Sequence, residues 1–168
     1  MLMWSILLLS IILIFGLVIL RGAPFLPTLS AQVEDVLDLL DLQKGQTMLE
    51  LGSGDGRLLA AAAKRGIYSV GYELNPLLVV WTKLRYWRYR SHIRIIWGDY
   101  WMHDWPPSDG MYVFLLQRYM DKLDNHVIHY ADKKPYKVVS NGFHIPSKQP
   151  AKTRKSLKLY YYNELATR

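Results

Sequence analysis

The sequence predicts an α/β fold: a mostly parallel sheet with helices on both faces, preceded by one long apolar helix. Three observations carry this. Leu2–Leu20 contains no charged side chain. From Thr47 onward, short apolar runs alternate with segments of helical periodicity, the pattern of strand–helix–strand units. The first of these strands runs straight into Gly52-Ser53-Gly54-Asp55-Gly56, and sheets of this kind bind ligands beyond the carboxyl ends of their strands.

The apolar start is read first. Leu2–Leu20 spans 19 residues, about 29 Å of helix at about 1.5 Å per residue, close to the roughly 30 Å of a bilayer's hydrocarbon core. Only Met1 precedes it, and Arg21-Gly22-Ala23-Pro24 is a poor cleavage site, so it reads as a retained transmembrane anchor over residues 1–21 rather than a signal peptide. Arg21 on the C-terminal side then places the body of the chain in the cytoplasm. The expected location is therefore a single-pass membrane protein with its main domain cytoplasmic. Residues 22–29, with Pro24 and Pro27, form a stiff connector. Residues 30–168 form the domain.

Within that domain Ser30 is an N-cap candidate, and Val33, Val36, Leu37 and Leu40 follow helical spacing to about Leu42. Thr47–Leu51 is a strand, and Arg57–Arg65 is an alanine-rich helix. Tyr68–Glu73 is a second strand. Asn75-Pro76 then supplies a cap with proline at the first helical position, opening a helix from Leu77 to about Arg90 that buries Leu77, Val80, Trp81 and Leu84. Ile93–Trp97, Met111–Leu116 and Tyr136–Ser140 are further strands, with a helix from Gln117 to about Ala131. Ser156–Tyr162 is a last strand. Only 28 residues follow Ser140, so the C-terminal part is short for a sheet of this kind. The chain has no cysteine, which excludes disulfides, a thiolate nucleophile and zinc–thiolate sites, and no metal cluster is expected.

The glycine turn carries chemistry. Glycine permits positive φ and close approach of backbone to a ligand. The spacing is G-x-G-x-G, not the G-x-G-x-x-G of dinucleotide sites, and no Gly-Lys-Ser/Thr follows as in a phosphate loop. Glu50 precedes the turn and Asp55 lies within it, so the loop suits a ligand bearing a cation rather than a pyrophosphate. Glu73 ends the second strand, where a carboxylate can accept both hydroxyls of a ribose. Asp99 ends the third, where an acceptor could meet an exocyclic amine. Asp109, just before the fourth strand, reads as a structural residue.

Leu49–Arg57 resembles motif I of class I S-adenosylmethionine-dependent methyltransferases, Glu73 their ribose-binding acid, and Gly98-Asp99 their adenine-proximal motif. The apolar start, Pro24-Phe25-Leu26-Pro27-Thr28, Gly71-Tyr72-Glu73-Leu74-Asn75-Pro76, Val113-Phe114-Leu115 and Ser140-Asn141-Gly142-Phe143 resemble the small membrane-anchored protein-lysine methyltransferases. That family acts on the adenine nucleotide translocase and the c-type subunit of ATP synthase. The resemblance implies a Rossmann-like class I methyltransferase sheet and S-adenosyl-L-methionine as cofactor. It implies that Gly52, Ser53, Gly54, Asp55 and Gly56 line the methionine portion, with Glu50 at the ammonium, Glu73 at the ribose and Asp99 at the adenine.

Methyl transfer from a sulfonium is an in-line displacement in which the protein supplies proximity and orientation. A lysine acceptor must arrive neutral, against a free pKa near about 10.4. Gln117, Tyr119, Asn141 and His144, at or after the ends of the fourth and fifth strands, are the candidates on the acceptor side. The chain lacks the Asn/Asp-Pro-Pro-Tyr motif of many amine-methylating relatives.

The net charge of +7 is segregated. Lys83–Arg94 holds five basic residues and no acid, and Trp81, Tyr86, Trp87, Tyr89 and Trp97 interleave this run; residues 133–168 hold nine basic residues against Glu164 alone. The expected partners are membrane lipid, through the apolar helix and this basic-aromatic surface, and a protein substrate in or near the membrane, ahead of nucleic acid. Competing readings are a methyltransferase for a lipid, a quinone or RNA, and a non-catalytic cofactor-binding module.

Overall fold

Apolar residues on both faces of the inner strands give the sheet one core on either side. The computed structural model describes residues 3–5, 9, 28, 30–131 and 134–163. Strands β1 (Thr47–Leu51), β2 (Tyr68–Glu73), β3 (Ile93–Trp97), β4 (Gly110–Val113), β5 (Tyr136–Asn141), β6 (Lys152–Arg154) and β7 (Leu157–Tyr162) form one seven-stranded sheet in the order β3-β2-β1-β4-β5-β7-β6. The first five strands in that order are parallel, while β7 runs antiparallel to both β5 and β6. The α-helices described in the domain are α1 (Ser30–Leu40), α2 (Arg57–Lys64), α3 (Pro76–Arg85) and α4 (Met120–Tyr130).

Side-chain alternation along the strands sends Met48, Tyr112, Val139, Leu157 and Leu159 against Val36, Leu37 and Leu40 of α1 and Leu58, Leu59 and Ala62 of α2. Leu49, Leu51, Met111, Val113, Val138, Tyr160 and Tyr162 face Leu123 and Val127 of α4. Acids on the outer face of α1 hold distant basic groups: Asp35 meets Arg154 and Lys155, each at 3.0 Å, Asp38 meets Arg65 at 2.9 Å, and Glu34 also pairs with Arg65. Part of the C-terminal positive charge is neutralised in this way.

Several expectations need correction. The helix after Asn75 is shorter than its hydrophobic pattern predicts and is rotated from it. It ends at Arg85 and buries Val79 and Thr82, whereas Leu77, Val80, Trp81 and Leu84 are exposed. The segment Gln117–Tyr119 is a separate 3₁₀ turn before α4. Strand β6 is not predicted, because Lys-Thr-Arg has no apolar residue to mark it. The C-terminal part contributes β6 and β7, and residues 142–151 join β5 to β6 through loop and turns without a helix. The expected anchor, Leu2–Leu20, lies almost entirely outside the described residues. Among the described residues no helix is long and apolar enough to cross a membrane. The single-pass location is corrected accordingly: a span needs one continuous apolar helix of about 20 residues, and none is described.

The last strand is held to α4 by a buried polar contact. Asp124 Oδ1 accepts from the Tyr162 hydroxyl at 2.6 Å, and Ser147 Oγ donates to Oδ2. Tyr162→Phe removes a hydrogen bond to a buried acid, and a loss of about 2 kcal/mol is expected. A lower urea midpoint with unchanged slope is the measurement that checks it.

Candidate cofactor-binding site

The site begins where β1 ends. Gly52 and Ser53 donate their N–H groups to the Tyr72 carbonyl at 3.0 and 2.8 Å, which turns the chain away from the sheet over the tip of β2. Gly52 sits at φ +84°, and a Cβ there would meet nothing within 4 Å, so open space lies beside it. Gly56, at φ +75°, caps α2, and a Cβ there would collide with the Thr82 side chain of α3. The loop is therefore glycine for two reasons: backbone sign at both positions, and close packing of α3 at the second.

Glu73 locks this loop. Its Oε2 accepts from the Gly54 N–H at 2.8 Å and its Oε1 from the Asn75 N–H at 2.7 Å. Each oxygen retains acceptor capacity, since a carboxylate has about four lone-pair sites. Burial pushes the Glu73 carboxyl up, against the pull of the Asn75, Gly54 and Leu74 amides. Asn75 Oδ1 caps α3 by accepting from the Leu77 N–H at 2.9 Å. The Gly98 N–H reaches the Glu73 carbonyl at 3.0 Å and brings Gly98-Asp99 to the same edge. Asp99 Oδ1 caps the 3₁₀ turn Tyr100–Met102 through the Trp101 N–H.

The two acids of the loop differ. Asp55 is held by Arg57 in a fork, Nε to Oδ1 at 2.9 Å and Nη2 to Oδ2 at 2.7 Å. Burial would raise its carboxyl, but the Arg57 hydrogen bonds and charge hold it below the usual range. Glu50 has no such counter-ion. It is buried, and desolvation, with the negative charges of Asp55 and Glu73 adding, pushes its carboxyl well above the usual range. Among the described residues, the buried side-chain polar atoms without a hydrogen-bond partner are Glu50 Oε2, Ser53 Oγ and Asn75 Nδ2. An acceptor, a hydroxyl and an amide donor, all orphaned around one loop, fit a ligand that carries a cation beside hydroxyl or amine groups.

The acceptor-side candidates separate into two groups. Gln117 and His144 join the loops after β4 and β5: Gln117 Nε2 donates to the His144 carbonyl at 3.0 Å, and the His144 N–H returns to Oε1 at 3.4 Å. Tyr119 carries the Arg118 guanidinium 4.8 Å above its ring. Asn141 is turned inward, donating to the Tyr112 hydroxyl at 3.2 Å and accepting from Ser156 Oγ at 2.7 Å. Tyr112, which nothing in the sequence marks as functional, stands opposite Glu50 in the sheet register. Its hydroxyl also pairs with Thr28 Oγ1 at 2.8 Å, and burial pushes it up to about 12 against the Thr28 and Asn141 bonds. Arg57 Nη1 donates to the Thr28 carbonyl at 3.0 Å, so this residue, just ahead of α1, is fastened to both the glycine loop and the sheet. Asp109 is structural as expected, accepting from the Thr47 N–H at 2.8 Å.

Residues 50–152 match the family model described as the ANTKMT methyltransferase domain. The chain belongs to this family. The matched span opens on Glu50 itself and includes the whole glycine loop, Glu73 and Asp99. Among curated relatives, the lysine N-methyltransferase of the ATP synthase c-type subunit from Rattus norvegicus is 38% identical over 103 residues, covering 60% of this chain and 47% of that protein. The adenine nucleotide translocase lysine N-methyltransferase of Mus musculus is 37% identical over 134 residues, covering 76% and 56%. The chain spans about half the length of these relatives. Among solved structures, an RNA methyltransferase from Salinibacter ruber in complex with S-adenosyl-L-homocysteine superposes with a TM-score of 0.71 at 24% identity, covering 82% of this chain and 92% of that one. That likeness establishes the fold.

The orphaned Glu50 carboxylate makes this end of β1 costly to fold with nothing paired to it. A carboxyl whose pKa is higher in the folded than in the unfolded state holds its proton longer when folded, so stability falls as pH rises from about 4.3 toward the folded value. Glu50→Gln removes that slope. Melting temperature is expected to rise over the parent at pH 8 and to match it at pH 4, as read by calorimetric scans of the ligand-free protein.

Proposed function

We propose that this chain is an S-adenosyl-L-methionine-dependent methyltransferase whose acceptor is a lysine side chain of a membrane-associated protein. The observation that carries the cofactor reading is the cluster of orphaned buried atoms, Glu50 Oε2, Ser53 Oγ and Asn75 Nδ2, beside Glu73 and the open backbone at Gly52. In this reading Glu50 holds the cofactor's ammonium, and Gly52, Ser53, Gly54 and Gly56 line its methionine portion. Asp55 acts through Arg57 to fix the loop. Glu73 accepts the ribose hydroxyls with its spare lone pairs, Asn75 Nδ2 donates to the same ribose, and Asp99 takes the adenine. When bound, the cofactor supplies the electrophilic methyl group.

The acceptor class follows the curated relatives, whose names specify lysine N-methylation of the ATP synthase c-type subunit and of the adenine nucleotide translocase. Gln117, Tyr119 and His144 frame the mouth between the loops after β4 and β5, where a lysine would enter. Asn141 contributes by holding Tyr112 in place. Desolvation at that mouth favours the neutral amine needed for attack. The helix-free loop between β5 and β6 suits the bulk of a protein substrate.

Calorimetric titration with S-adenosylmethionine tests the cofactor site. Glu73→Ala is expected to lower affinity at least 100-fold, because it removes the ribose acceptor and frees the Gly54 and Asn75 amides together; an unchanged affinity refutes the ribose role. Incubation with radiolabelled cofactor and native membranes, followed by separation of protein, lipid and RNA, tests the acceptor. Label in protein, recovered as methyl-lysine after hydrolysis, is the expected result. Label in lipid or RNA alone overturns the lysine reading, and no label anywhere supports a non-catalytic module.

A further inference from the structure

We propose that α3 and the turn after it form a docking surface for an anionic lipid bilayer. Leu77, Val80, Trp81 and Leu84 fall at i, i+3, i+4 and i+7, the spacing of one helical stripe. In most helices such a stripe faces the core. Here the core is met by Val79 and Thr82, and the stripe is exposed, at 42%, 54%, 50% and 70%. Trp87 and Trp97 extend it at 58% and 65%. β3 is one of the two edge strands of the sheet, and among the described residues no further strand lies beyond it.

The charges around the stripe name the partner. Lys83, Arg85, Arg88, Arg90 and Arg94 lie within this segment with no acid among them. None makes an ion pair among the described residues, whereas Lys137, Arg154 and Lys155 of the C-terminal run all find acids on or beside α1. The guanidiniums of Arg85 and Arg90 lie 5.5 and 5.3 Å from the Trp81 and Trp87 rings, and Arg90 lines a cleft of about 270 Å³ with Arg94. An apolar stripe of Leu and Trp bordered by unpaired cations is complementary to an interface with hydrocarbon below and negative headgroups above. A second copy of the same surface would oppose five like charges. A nucleic acid would use the arginines and leave Leu77, Val80 and Leu84 without a role.

The surface is placed to matter for the site. α3 starts at Pro76, beside Asn75 and Glu73, and its ten residues measure about 15 Å. Docking on this stripe holds the carboxyl edge of the sheet near the headgroups, and it uses no spanning segment. The inference does not depend on the proposed chemistry, since its test contains no cofactor.

The chain has no cysteine, so a nitroxide can be placed on full-length Leu84→Cys alone. With phosphatidylcholine–phosphatidylglycerol vesicles, the label is expected to gain accessibility to oxygen and lose it to an aqueous nickel chelate. A label on Ile128→Cys, exposed on α4 across the sheet, stays in water and controls for retention through another part of the chain. Vesicles of phosphatidylcholine alone leave both labels in water. Replacing Lys83, Arg88 and Arg90 with glutamine together lowers insertion of the position-84 label by about fivefold per cation, roughly 100-fold in all. The proposal is overturned if the position-84 label stays in water on the anionic vesicles, or enters neutral ones equally. It is also overturned if RNA, or concentration-dependent spin–spin broadening from a second copy, accounts for its immobilisation instead.

Discussion

A single buried carboxylate organises the ligand edge of this sheet. Glu73 ends β2 and accepts one amide from the glycine loop and another from the turn that starts α3. These segments would otherwise present unpaired backbone N–H groups in a buried place, each costing on the order of 1–3 kcal/mol. Because both amides point at one side chain, the loop and the helix are fixed to the same atom pair. The Gly98 amide adds the start of the next loop through the Glu73 carbonyl. Geometry at the site is thus set by the carboxyl end of β2, which is held between β3 and β1.

The same arrangement creates tension one strand away. Glu50 stands on β1 with no cation, near two other acids, Asp55 and Glu73. Asp55 is neutralised by Arg57, and Glu73 is surrounded by amide donors, so the unfavourable electrostatics concentrate on Glu50. A buried acid in that state destabilises the ligand-free fold and strengthens binding of whatever brings a positive charge to it. Ser53 and Asn75 repeat the pattern on a smaller scale with unpaired neutral groups. The site is preorganised at the cost of stability, as expected where function rather than folding fixes the residues.

Most of the sheet was legible in the sequence because strands between helices are apolar on both faces and short. β1, β2 and β3 fall where the apolar runs fall. β6 was hidden because an edge strand of Lys-Thr-Arg needs only backbone pairing with β7 and carries no hydrophobic signal. At the candidate site, Glu50 and Glu73 announced themselves by position at the ends of strands, and the glycines by position just after one. Tyr112 did not, since a tyrosine in an apolar strand looks like core until its hydroxyl is seen between Thr28 and Asn141. Asn75 was legible as a cap, but its unpaired amide was not. The nine basic residues of the C-terminal run read as one positive region, yet α1 and the residue after it carry the acids that meet three of them, a pairing more than 90 residues apart in the chain.

Helix α3 shows why periodicity alone misleads. Its apolar stripe has the spacing of a core-facing helix, and a rotation that buried it would bring the favourable transfer of four large side chains, about 1.5–3 kcal/mol each. The helix does not take it, because its orientation is set at both ends of its first two turns. Asn75 caps it beside Glu73, and Thr82 packs against Gly56 with its hydroxyl on the Gly54 carbonyl at 3.4 Å. Rotating α3 to bury Leu84 would withdraw Thr82 from the glycine loop and open the loop that Glu73 closes. The apolar face is therefore left outward by the requirement of the ligand edge, and the cations that border it make no ion pair among the described residues. The face of α3 that packs on the glycine loop and the exposed stripe belong to one helix, so a change in what covers the stripe acts on the same short element that holds Gly56 in place.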